Sequence, residues 1–109
     1  MATDKQTAQT ILQHLIEVAD ARIRPMMGEY IVYVDDTVIG QINEGELFIK
    51  VTSFGEQFAP DLKKRAPYSG AKIALVVPAT MLADTEWLGE LISGTIQQMP
   101  KPRTQGKRL

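Results

Sequence analysis

The chain has 109 residues, 44% of them hydrophobic, with no cysteine and a formal net charge of −1. That length suits a single domain with one core, and the missing cysteines exclude a disulfide framework, a thiolate nucleophile and a cysteine-ligated zinc site. Four of the twelve basic residues, Lys101, Arg103, Lys107 and Arg108, fall in the last nine positions, which leaves eight against thirteen acidic ones in residues 1–100, a balance of about −5. An acidic body repels phosphate backbones at range, which argues against a broad nucleic-acid surface on the folded domain. The first twenty residues include Asp4, Glu17 and Asp20 and no long apolar run. Neither a signal peptide nor a membrane span is expected, and the expected location is the cytoplasm with no membrane partner.

From Thr7 to Ala21 the apolar residues Ala8, Ile11, Leu12, Leu15, Ile16 and Ala19 recur at three- and four-residue steps, which predicts an amphipathic helix. His14 falls off that stripe and reads as a solvated surface residue. Arg22-Ile-Arg24-Pro25 is expected to end the helix, because the residue before a proline is pushed out of the helical region. Glu29–Val34, Thr37–Ile42 and Glu46–Val51 read as three antiparallel strands of a meander. Asp35-Asp36 is a two-residue turn that tolerates positive φ, and Asn43-Glu44-Gly45 is expected to be a three-residue bulged turn. Met26-Met27 reads as an apolar plug beneath the first strand, with an adaptable contact surface as the alternative.

Beyond Val51, Thr52-Ser-Phe-Gly55 reads as a loop, and Pro60 as the first position of a short helix over Asp61–Arg65 whose C-terminal Lys63-Lys64-Arg65 complements the macrodipole. Residues 66–70 read as a short strand or a turn, and Lys72–Val77, closed by Pro78, as a strand. A last helix begins near Asp84 or Thr85. Leu88, Leu91, Ile92, Thr95, Ile96 and Met99 form its core stripe, and Trp87 packs at its start. From Pro100 onward Pro, Gly, Lys and Arg dominate, which predicts an unstructured basic tail over residues 100–109.

The residues offer little chemistry. The single histidine sits on a predicted exposed helix face, which nearly closes the triad route. Asp35-Asp36 and Glu44 with Glu46 sit at opposite ends of one strand, about 20 Å apart at ~3.3 Å per residue, so they do not form one acid–base or metal site. The glycines are scattered without a dinucleotide fingerprint or phosphate loop, so no cofactor is expected. Catalytic and metal-binding residues are therefore not assigned.

Arg24-Pro-Met-Met-Gly-Glu-Tyr30 with Val32-Tyr33, then Gly45-Glu-Leu-Phe-Ile-Lys-Val51, and later Val77-Pro78 before an acidic turn, resemble in order and spacing the motifs of TfoX N-terminal domains, over about residues 8 to 99. The resemblance implies an α+β, two-layer fold with an antiparallel sheet and helices in the order α-β-β-β-α-β-β-α, shared with secretion-chaperone-like domains, and one domain over residues 1–99. It also implies a regulatory, non-enzymatic protein-interaction domain of a competence-regulator type, with a homodimer as one arrangement. The longer relatives carry a C-terminal helix-hairpin-helix-like module that this chain does not match, so DNA contact through it does not transfer. The alternative is a nucleic-acid-associated regulator acting through Lys101, Arg103, Lys107 and Arg108; an enzyme is the weaker alternative. Tyr30, Val32 and Val34 share one face of their strand and Ile31 and Tyr33 the other, so one helical layer covers only one set. Ile31, Tyr33 and Phe48 are the expected protein interface.

Overall fold

A computed structural model describes residues 2–100. The fold is α+β, with four helices and one antiparallel six-stranded sheet among the described residues. In chain order the elements are α1 (Lys5–Ile16), β1 (Ala21–Met26), β2 (Glu29–Val34), β3 (Thr37–Asn43), β4 (Glu46–Lys50), α2 (Ser53–Phe58), β5 (Lys64–Arg65), β6 (Ala74–Val77), α3 (Ala79–Leu82) and α4 (Thr85–Gln97). The sheet order is β1-β2-β3-β4-β6-β5. No helix among the described residues is long and apolar enough to cross a membrane.

The helices lie on one face of the sheet. Ala8, Ile11 and Leu15 of α1 and Leu88, Leu91 and Ile92 of α4 interlock with Val32, Val34, Ile42, Leu47, Ile49 and Leu75, all buried. Asp4 caps α1 by accepting from the Thr7 N–H, and Asp84 caps α4 by accepting from the Trp87 N–H, each satisfying a donor that the helix leaves open. Trp87 packs against the core and stacks on Phe58 with ring centroids 6.1 Å apart.

The observed elements depart from the expected ones in four places. First, α1 stops at Ile16, and residues 21–26 form an additional edge strand paired with β2, not a helix end. Second, the β1–β2 turn is Met27-Gly28, so Met26 and Met27 project from the molecule, Met27 being 96% exposed, and do not plug the core. Third, Asn43 pairs with Glu46, which leaves a two-residue turn at Glu44-Gly45 rather than a bulged three-residue one. Both central residues of each of the three hairpin turns have positive φ, the condition for the turn type whose twist matches the strands.

The fourth correction concerns α2. It occupies Ser53–Phe58, where a loop was expected, and the chain over Asp61–Arg65 is a turn followed by the two-residue β5. Lys63, Lys64 and Arg65 therefore complement no helix terminus; Lys64 instead faces Glu56 at 3.6 Å and Arg65 faces Glu46 at 2.7 Å. The expected basic tail lies outside the described residues.

Candidate functional site

Alternation along each strand sends the second set of side chains to the face away from the helices. There β1 places Arg22, Arg24 and Met26, β2 places Ile31 and Tyr33, and β4 places Phe48 and Lys50. At the β4–β6–β5 end the segment 66–73 folds back over this face, held by a hydrogen bond from Asn43 Nδ2 to the Pro67 carbonyl at 2.9 Å. Beneath it Phe48, Ala74 and Val76 make a small second core. The Arg65 guanidinium lies 5.3 Å from the Phe48 ring centroid and holds Glu46. Phe48 is thus only 1% exposed, and its place in the expected interface is overturned: it shares the face with Ile31 and Tyr33 but is sealed by the folded-back segment.

The rest of the face, over β2 and β3 and reaching β4 beside the folded-back segment, is open. It forms two adjoining hollows of about 450 and 380 Å³ that share Ile31, Gln41 and Tyr68. Ile31 and Val38 form an apolar floor, and Tyr68 and Ile73, both more than half exposed, form one wall. The exposed Met26 and Met27 bound the far end. Single exposed apolar residues are ordinary on a protein surface, whereas contiguous ones around a concavity mark a contact site.

Polar groups on and around this face divide into satisfied and unsatisfied. Arg22 lies over the Tyr33 ring, 4.4 Å from its centroid, and meets Asp36 at 3.0 Å. Glu29 accepts from the Thr3 N–H and hydroxyl and from the Glu44 N–H, while the Gly45 N–H donates to Thr3 Oγ1 at 2.9 Å. That network ties the N-terminal segment to two neighbouring hairpin turns. Arg24, directly across from Ile31 in the pairing, and Lys50 and Lys72, which line the larger hollow, make no ion pair among the described residues.

The other sequence candidates stay apart. Asp35-Asp36 and Glu44 with Glu46 lie at opposite ends of β3, His14 is half-buried on α1, and no group of three or more His, Asp or Glu among the described residues is placed to hold a metal ion. Lys101, Arg103, Lys107 and Arg108 lie outside the described residues. Sequence reasoning misses Arg24, Lys50, Lys72 and Tyr68 as site residues and offers the exposed methionines as a contact surface only as the alternative to a core plug. A signal was present for the first: Ala21-Arg-Ile-Arg alternates apolar and basic residues at the strand period.

No protein-family model matches the chain. It is similar to an uncharacterized 12.7 kDa protein in the trpE 5′ region of Spirochaeta aurantia, 28% identical over 103 residues that cover 94% of this chain and 89% of that protein. The similarity therefore covers nearly the whole chain.

Proposed function

We propose that the protein is a small non-enzymatic interaction domain, regulatory in the sense that its output is binding, and that its open sheet face receives a protein partner. The observation that carries this reading is the half-covered sheet: one face is packed by helices, while the other keeps the Ile31–Val38 floor and the Met26, Met27 and Tyr68 rim accessible. Apolar residues gathered in a concavity with a polar rim are how protein contacts are anchored. The likeness to TfoX N-terminal domains supports the same reading, because the segments that carry it, Arg24–Tyr30 and Gly45–Val51, contribute the β1–β2 hairpin and β4 to this face.

A photo-crosslinking residue placed at position 31 in cells of the native organism tests it, with one at position 90 on α4 as the comparison. The expected outcome is a protein adduct from position 31 and none from position 90. Adducts only from position 90, or only with nucleic acid, would overturn the reading.

A further inference from the structure

The open face carries a charge asymmetry that points to the chemistry of its partner. Of the eight basic residues in residues 1–100, five (Arg22, Arg24, Lys50, Arg65 and Lys72) stand on this face or its rim, while Lys5, Lys63 and Lys64 do not. Asp36 neutralises Arg22 and Glu46 neutralises Arg65, while Glu29, which lines the smaller hollow, keeps its charge as it accepts from Thr3 and the Glu44 amide. Among the described residues Arg24, Lys50 and Lys72 make no ion pair and outnumber the single carboxylate of Glu29, a positive rim on a body whose balance is otherwise acidic. Potential of one sign gathered at a concavity selects a partner of the other sign.

We infer that the trough takes a segment of another protein that is acidic and apolar together. Bulky aliphatic side chains would rest on Ile31 and Val38, with Asp or Glu residues against Arg24, Lys50 and Lys72. This rests on the interaction reading above and adds the partner's charge to it. The occupant is not a second copy meeting face to face, because a two-fold contact sets the same positive rim against itself. The side-chain charges of residues 101–109 are all positive, the wrong sign for this rim. Nucleic acid fits poorly: the floor is aliphatic, and the Arg22 guanidinium already covers the Tyr33 ring on which a base would stack.

Strand addition at the sheet edge is disfavoured. The Asp35 N–H donates to the Asp20 carbonyl at 3.2 Å, which by antiparallel alternation turns the even positions of β1 toward β2 and the odd positions outward. Pro25 therefore removes a donor from the free edge, and the Ala21 N–H is already bonded to the Ala19 carbonyl. The opposite edge, β5, has only two residues. Ile23 is left as the one outward donor of β1, too little for a strand ladder, which favours contact through the face.

Fluorescence anisotropy tests this with the full chain and labelled synthetic peptides of equal length built from Leu and Glu, Leu and Ser, or Leu and Lys, plus a single-stranded oligonucleotide. The Leu/Glu peptide should bind about tenfold tighter than Leu/Ser at low salt, and the gap should close near 1 M salt, where the Debye length falls to about 3 Å. Arg24→Glu with Lys72→Glu should erase the preference, Arg24→Lys should keep it, and Lys5→Glu on α1 should leave it unchanged; an unaltered urea midpoint establishes that each variant is folded. Equal binding of Leu/Glu and Leu/Ser, a preference that survives the double reversal, tighter binding of the oligonucleotide, or a dimer that Arg24→Glu dissociates would each overturn the inference. A crosslink at position 31 without an acidic preference would sink the charge assignment alone, while the absence of that crosslink would sink the interaction reading itself.

Discussion

Met27 sits at the tip of the β1–β2 hairpin with φ of +50° and 96% of its surface exposed. A side chain with a Cβ in the left-handed region costs about 1–2 kcal/mol, and asparagine bears that conformation best after glycine. A large apolar residue kept exposed in a strained turn is a poor choice for stability and a good one for contact. Met27→Asn is therefore expected to stabilise the free protein by about 1 kcal/mol, read as a higher midpoint in urea unfolding, while weakening binding of the acidic–apolar peptide. Unchanged peptide affinity would remove the tip from the contact surface. The same turn shows why the first strand was not legible in the sequence. Asp35-Asp36 announces its turn because aspartate tolerates positive φ, but a methionine does not, and Pro25 reads more readily as the end of a helix than as a residue on a free strand edge.

At the scale of elements, Gly40 is a point where the sheet admits no side chain. A Cβ there would lie 1.9 Å from the backbone carbonyl oxygen of Phe48, on the neighbouring strand, and a strand backbone cannot step aside without breaking pairing. Gly89 in α4 is the opposite case, because a Cβ there would meet only Val18 at an ordinary 3.6 Å. Gly40→Ala is expected to cost about 3 kcal/mol or more, whereas Gly89→Ala should gain up to ~1 kcal/mol from helix propensity; paired urea titrations would show the opposite signs. Glycine also explains the misplaced helix. Gly55 suggested a loop, yet it is buried in α2 against Leu75, its N–H bonded to Thr52 Oγ1 at 3.0 Å. Further support for α2 is tertiary: Phe54 and Phe58 stack at 5.3 Å, and the Gln98 side chain accepts from the Phe54 N–H at 2.8 Å. Helices α1 and α4 needed no such help, since their apolar stripes recur over several turns.

Over the whole molecule, the two sheet faces differ in kind, and that difference separates residues that local pattern makes alike. Ile31, Tyr33 and Phe48 share the face away from the helices, so alternation alone assigned them one role. What the strand pattern could not contain is the return of segment 66–73 across β4 and β6, a non-local packing fixed by Asn43 and Arg65. Its consequence is a sheet with an open half and a sealed half. Phe48→Ser removes a fully buried ring from the sealed half and is expected to cost about 3–5 kcal/mol. Ile31 and Tyr33 are each half-buried in the open half, so Ile31→Ser and Tyr33→Ser should each cost about 1 kcal/mol. The double variant Ile31→Ser/Tyr33→Ser should then unfold cooperatively in urea, with its slope unchanged, and yet lose binding of the acidic–apolar peptide. If it unfolds as readily as Phe48→Ser, or keeps full binding, the open half is a structural surface and the contact lies elsewhere on the molecule.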